Sequence, residues 1–383
     1  MSEQNLTPRR IKEEQEDRIL HAFAAKSKHS RGRVWQNDPP CDVRTAYERD
    51  VGRIIFSLDF RRLRHKTQVF FDPQNDHICT RMEHVIYVNY IANTIGRGLG
   101  LNADLIQGIA LGHDLGHAPF GHTGERVLNE CLQRIDPDYQ FQHEVHGLRV
   151  VDVLATRADH MSGLNLTFEV RDGIASHCGE SYSEYCLIPD RNKQPDQLMD
   201  SAKNHGMPAT LEGCVVRLAD KIAYVGRDIE DAVRAGIMEF DELPAAIRSS
   251  LGQSNSEIIN TLVTDIIINS RNRDAIVLSP SCGQSMQELL LDNVKRIYRS
   301  DKIKRYEKMA TNVIEGLFEA LRQALTDPEK LASSDNRVFR AFNQYIAERN
   351  YAADLPAAQK IVDYVASMSD SFATRSFEDI YWF

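Results

Sequence analysis

The sequence predicts an all-α fold, and three observations carry that expectation. Apolar residues recur at helical spacing through most of the chain. Strict apolar/polar alternation is scarce, and the best candidates for strands lie within residues 68–80. Beyond Phe240, Pro244, Pro280, Pro328 and Pro356 punctuate segments of helical length.

Taken in order, residues 42–67 read as a charged amphipathic helix that starts after Pro39 and Pro40. It carries a basic run, Arg61, Arg62, Arg64, His65 and Lys66. The segment FFDPQNDHICT (70–80) has the Asp-Pro and Gln-Asn-Asp chemistry of a turn. Residues 82–99 place His84, Val88, Ile91 and Ile95 on one helical face, and Leu105, Ile106, Ile109 and Ala110 mark a more apolar helix ending near Gly112. Further helices are expected at 123–134, 142–156 and 167–176. Residues 178–206, rich in Pro, Asp, Asn, Lys and Gln, read as a long irregular connection. Leu211, Val215, Leu218, Ile222 and Val225 then form the stripe of a strong amphipathic helix. The expected organisation is an N-terminal segment (1–42), a helical core (43–240) and a helical region (241–383) packed on that core as a cap or an assembly surface.

A composition of 42% hydrophobic and 26% charged residues is ample for a sizeable core. The formal charge of -9 argues against a protein whose main task is coating nucleic acid, which needs a basic footprint. Binding of a phosphate ester must then come from a local cluster of Arg, Lys or metal. Seven dispersed cysteines without a CxxC pair, a charged N-terminus without an apolar core and no apolar run long enough for a bilayer point to a cytoplasmic protein with reduced thiols and no membrane association.

The densest polar signal is GHDLGHAPFGHTGE (112–125). A histidine followed directly by an aspartate at a helix end, His113-Asp114, offers a nitrogen and a carboxylate oxygen to one cation. His84 sits on an otherwise apolar helix face and points inward; Asp220 lies mid-helix beside the apolar stripe of RLADKIAYVGRDIEDA (217–232). Two nitrogens and two hard oxygens suit a divalent metal that keeps positions open for water or substrate. Singly, each has a plainer reading: His84 as a hydrogen-bonded core histidine, Asp220 as a partner of Arg217 or Lys221 on its own helix. HEVH at 143–146 lacks the spacer of a zinc-protease motif, GRGLG at 96–100 follows no strand, and no GxxxxGK[ST] is present.

The ordered set His84, His113-Asp114, Asp220 resembles the H…HD…D signature of the HD superfamily. FRRLRHKTQVF (60–70), RMEHV (81–85), GHDLGHAPFGHTGE, FQHEVHGLRVV (141–151) and RLADKIAYVGRDIEDA resemble, more narrowly, the deoxynucleoside triphosphate triphosphohydrolases, the dGTPase-like family. The likeness spans roughly residues 43–240, with a weaker echo in VKRIYR (294–299). It implies an HD-domain helical bundle with additional C-terminal helices and water attack at the α-phosphorus of a dNTP, giving a deoxynucleoside and tripolyphosphate. It implies a divalent metal (Mn, Mg, Fe, Co, Ni or Zn) on His84, His113, Asp114 and Asp220, with His122 and Glu125 as a catalytic pair. For the substrate it points to Arg81, His117, Lys221 and Tyr224 at the phosphates, His143 (with Glu144) in support, and Gln68 and Asp228 near the sugar 3′-hydroxyl. Plainer readings stand beside these: Glu125 as a first-turn helix acid, and Asp228 with Asp231 as a solvated acidic face. The resemblance also implies homo-oligomers, hexamers among them, with a nucleotide activator at subunit interfaces, where the basic run 61–66 is one candidate. Tyr298 and Arg299 are the nearest matches to the family's downstream arginine and base-proximal tyrosine. Two alternatives stay open: another HD phosphohydrolase (a 5′-nucleotidase or phosphodiesterase), or a non-catalytic protein that binds nucleotide or single-stranded DNA.

Overall fold

Short polar caps divide the chain into helices. In the computed structural model, which describes residues 7–68, 79–157, 161–178, 185–349 and 351–382, the α-helices are α1 (Pro8–Ile19), α2 (Ala46–Ile55), α3 (Leu58–Arg62), α4 (Arg81–Leu99), α5 (Ala103–Gly112), α6 (Gly121–Gln133), α7 (His143–Arg149), α8 (Phe168–Ala175) and α9 (Leu198–Lys203). They continue as α10 (Leu211–Arg234), α11 (Ala245–Ser250), α12 (Asn255–Ser270), α13 (Pro280–Asn293), α14 (Asp301–Ala324), α15 (Pro328–Ala332), α16 (Arg337–Ala347), α17 (Ala357–Ala366) and α18 (Asp370–Tyr381). Strands β1 (Cys186–Leu187) and β2 (Ile276–Val277) pair antiparallel, Cys186 opposite Val277. The expected all-α class holds. Among the described residues no helix is long and apolar enough to cross a membrane, and all seven cysteines are free thiols.

The caps explain several boundaries. Thr80 and Glu83 form a reciprocal capping box at the start of α4, and Gly100 closes that helix in the left-handed region. Thr210 caps α10 through Gly213, and Pro280 and Pro328 stand in the first turn of α13 and α15, where a missing N–H costs nothing. The single helix expected over 42–67 is instead α2, α3 and a 3₁₀ turn, Leu63–His65. Ser57 makes the break: its hydroxyl donates to Ile54 O and accepts from Phe60 N, so it ends one helix and caps the next. The helix expected over 142–156 is α7 running into a π-helical turn, Val150–Leu154. The connection expected to be irregular over 178–206 holds β1 and α9, because Leu187 finds a backbone partner in Ile276, far along the chain. Of the strand candidates in 68–80, residues 69–78 lie outside the described residues; at the ends Thr67 bridges Thr80.

Two apolar clusters form the interior. The first joins α4, α5, α8 and α10 with α12 and α13; α5 is its axis, with Leu105, Ile106, Ile109 and Ala110 fully buried. The second packs α6 against α14, α16 and α17 through Leu128, Leu132, Ile314, Leu317, Phe342 and Ile361. Buried polar groups tie the far C-terminal helices to the loop between α5 and α6. Lys66 donates to His117 O (2.5 Å) and Ala366 O (2.8 Å), while the Asp370 carboxylate accepts from Phe120 N (2.8 Å) and Thr67 N (2.8 Å). The start of α6 is thereby set by the last helix of the chain.

Candidate active site

The end of α5 is the centre of the site. Gly112 passes into a 3₁₀ turn, His113–Gly116, that places His113 and Asp114 side by side and fully buried. His113 Nδ1 donates to Ala110 O at 2.7 Å, so its Nε2 points away from the helix, and that buried atom has no hydrogen-bond partner. Around it lie Asp114 Oδ1 at 3.5 Å and Asp220 Oδ1 at 3.7 Å; His84 Nε2 is 2.8 Å from the same Asp220 oxygen. His84, His113 and Asp220 each offer a ligand atom within 4.8 Å of the others. The nitrogen and oxygen donors, the orphaned nitrogen and a carbonyl fixing the outer nitrogen of His113 together fit a divalent cation. Arg217 donates to the carbonyls of Ser176, His205 and Gly206, and Asp220 is bonded to His84 across the site.

Electrostatics keep the carboxylates charged. Burial alone would raise Asp114, but Arg81 with His113 and His117 holds it well below its ordinary range. Burial also works against Asp220, which the hydrogen bond from His84 and the neighbouring histidines bring to about 2. His84 in turn is pushed down by burial and, on balance, held up by Asp220.

Arg81 and His117 join this centre to a second group. Arg81 NH1 donates to Asp114 Oδ2 at 2.9 Å, while its Nε and NH2 are buried without a partner. His117 Nε2 meets Asp114 Oδ1 at 3.0 Å, and its Nδ1 is likewise unpartnered. Burial and the charge of Arg81 hold His117 well below its ordinary value, so it is neutral. The His117 ring stacks on His143 at 3.8 Å between centroids. Two glycines allow the close approach. A Cβ on Gly116 would stand 2.0 Å from His143 O, and one on Gly121, whose φ is +58°, would press on Arg81 NH2. Phe120, buried and at φ 63°, carries the strain of the turn into α6 and is held there by Asp370.

His122 and Glu125 share a face of the first turns of α6, with His122 Nδ1 3.4 Å from Glu125 Oε2. The histidine is 79% exposed and the carboxylate is largely buried, so the pair spans from interior to rim. Glu125 has a stronger partner that the sequence reading assigned elsewhere. It accepts from His143 N at 2.7 Å and faces His143 Nδ1 at 3.0–3.1 Å. Against the effect of burial, this pairing holds Glu125 well down and His143 well up, an ion pair. Glu125 is therefore more than a first-turn acid on a helix surface.

These groups line one cavity of about 540 Å³. Of the residues singled out in the sequence, Gln68, Arg81, His84, Asp114, His117, His122, Glu125, His143, Asp220, Lys221 and Tyr224 line it; His113 stands behind its wall. Gln68 Oε1 is buried without a partner. Asp228 is placed differently. It is buried further along α10, accepts a hydrogen bond from the Tyr298 hydroxyl and is not part of the lining. Burial raises it to about 7 despite that bond. Neither Asp228 nor Asp231 forms a solvated face, since they are 1% and 4% exposed. In the basic run 61–66, Arg61, Arg64 and His65 are exposed and Lys66 is the buried tie described above.

Glu144, expected beside His143, also lines the cavity, whereas the sequence reading missed Gln142, His177, Cys178 and His205, which line it too. His177 and Cys178 follow directly on α8; a His-Cys pair at the end of an apolar helix repeats the logic of His113-Asp114 and was the available signal. Burial takes His177 to about 4 and Cys178 to about 12.

Comparison with known proteins agrees with this architecture. Residues 81–225 match the family model described as HD domain, and residues 276–379 match the phosphohydrolase-associated domain. A deoxyguanosinetriphosphate triphosphohydrolase-like protein of Caldanaerobacter subterraneus subsp. tengcongensis is 37% identical over 98% of this chain and 97% of its own length. Proteins of the same name from Desulfatibacillum aliphaticivorans (36% identical, 98% and 99% covered) and Clostridium perfringens (37%, 94% and 94%) are similar to it over nearly their whole length.

Proposed function

Because the chain belongs to the deoxyguanosinetriphosphate triphosphohydrolase-like family of HD-domain proteins, we propose that it hydrolyses deoxynucleoside triphosphates to a deoxynucleoside and tripolyphosphate. The observation that carries the reading is one cavity bordered by His84, Asp114 and Asp220, with His113 behind them, by the unpartnered donors of Arg81 and by the His122–Glu125 pair. A divalent cation held by His84, His113, Asp114 and Asp220 would act as a Lewis acid on the reacting phosphoryl group.

The chain's own residues supply the rest. Arg81 Nε and NH2 donate to phosphate oxygens while NH1 stays anchored on Asp114, and Lys221 adds a point charge beside them. Charge that spreads over these oxygens in the transition state meets donors already in place, so little reorganisation is needed. A bound triphosphate also favours protonation of His117, which turns its unpartnered Nδ1 into a further donor. Glu125 holds the Nδ1 side of His122 and stabilises the imidazolium. Nε2 of His122 then delivers a proton to the departing 5′-oxygen of the nucleoside. Gln68 Oε1 is the acceptor for a sugar hydroxyl, with Tyr224 beside it; Asp228, engaged by Tyr298, supports this wall from behind.

The test is product analysis. The purified protein is incubated with each dNTP and Mn²⁺ or Mg²⁺, alone and with a second nucleotide, and the products are resolved by ion exchange. Deoxynucleoside plus tripolyphosphate is expected. Orthophosphate or pyrophosphate would move the chain to another phosphohydrolase chemistry, and binding without product to a sensor. Acceleration by the second nucleotide, with a change in assembly size, would extend the proposal to activated homo-oligomers.

A further inference from the structure

We propose that His143, His177 and Cys178 form a second cation site, separate in its donors from the His84–His113–Asp114–Asp220 cluster and suited to a soft divalent ion of the zinc class. The three ligand atoms lie within 4.8 Å of one another. His143 Nε2 and Cys178 Sγ are 3.3 Å apart, close to the roughly 3.5 Å that tetrahedral zinc sets between a nitrogen and a sulfur ligand. A fourth position faces the cavity, which all three residues line.

The outer atoms of both imidazoles are already held in the manner of metal-binding histidines. His143 Nδ1 faces the Glu125 carboxylate at 3.0–3.1 Å, and His177 Nδ1 donates to Ile174 O at 2.7 Å. A carboxylate and a carbonyl therefore fix each ring and turn its Nε2 inward, the outer-shell pattern that orients metal ligands. His143 and His177 meet edge to face at 5.3 Å between centroids, and the His177 ring is 5.0 Å from that of His113. The two sites are thus neighbours in one cavity with donors of different hardness. The carboxylate-containing set suits harder ions, and the set with sulfur selects softer ones. Ligation needs the thiolate and an unprotonated Nε2 on His143, so binding releases two protons to solvent, one from the Cys178 thiol and one from the His143 imidazolium.

The site is tested on the full chain, stripped with chelator and titrated anaerobically with Co²⁺. A near-ultraviolet thiolate-to-cobalt charge-transfer band should appear, saturate by the two equivalents that fill both sites, and vanish on addition of Zn²⁺. It should be absent from Cys178→Ser and diminished in His177→Ala, with both variants checked for folding by circular dichroism. After zinc loading and desalting, Cys178→Ser should retain one equivalent less zinc than the wild type. The proposal is overturned by the absence of the band, by a band undiminished in Cys178→Ser, or by equal zinc content in the two proteins. None of these outcomes depends on the proposed reaction, because the His84 cluster contains no sulfur.

Discussion

Replacing Arg81 by methionine separates what the Arg81–Asp114 pair does for folding from what it does for catalysis. The pair is almost wholly buried, at 1% and 4% exposure, with 2.9 Å between NH1 and Oδ2. Removing one partner of a buried ion pair costs about 3–5 kcal/mol, since the other charge is left in a poor solvent. Asp114 would keep His117 at 3.0 Å, which places Arg81→Met at the low end, about 3 kcal/mol. With an unfolding entropy of about 0.8 kcal/mol per kelvin for a chain of this length, the melting temperature should fall by about 4 °C. Because Asp114 is held below its ordinary value of 3.8, the stabilisation is present above that pH and is lost as the carboxylate protonates. The gap between variant and wild type should therefore close in acid. The double variant Arg81→Met/Asp114→Asn removes both charges and should recover most of the lost stability while remaining inactive. Thermal unfolding in chelator and tripolyphosphate release from a dNTP read the two effects separately. An Arg81→Met protein as stable as wild type, or one that turns over at the wild-type rate, would refute the reasoning.

Two further outcomes are expected. His113→Ala should lose metal retention and turnover together, whereas His122→Ala should keep its metal and lose roughly 10²–10⁴-fold in turnover; metal content and single-turnover rates measured side by side decide this, and retention of full activity by His122→Ala would sink its role. His146, buried beside Phe141, is taken by burial to about 4, so the unfolded chain binds a proton that the folded one refuses as the pH falls from 6.5 towards 4. About 3 kcal/mol of stability should be lost over that window and regained in part by His146→Leu; identical acid limbs for the two proteins in unfolding titrations would contradict it.

The helical class and the inward placing of His84 and Asp220 were legible in the sequence, because spacing along a helix decides direction within one or two turns, and His113-Asp114 was legible as a donor pair at a helix end. His84 falls in step with Val88, Ile91 and Ile95, and Asp220 lies beside the stripe of Leu218 and Ile222. Local chemistry could also have shown the break at Ser57, a capping residue inside an amphipathic run. What spacing could not show is which distant groups meet. Glu125 shares its carboxylate between His122, three residues away, and His143 on another helix, and no periodicity links the second pair. The turn that presents His122 is held by Asp370, and the loop of His117 is held by Lys66. Asp228 read as a sugar contact or as a solvated acid, and its burial under Tyr298 excludes the second reading. The neighbouring His177–Cys178 pair had a local signature, but only its approach to His143 makes it a cluster. The sequence by itself determined the helical class, the buried faces of the main helices and the types of donor available. The tertiary structure decided how those donors combine, because a buried polar group must find its partner wherever the packing of distant helices brings one.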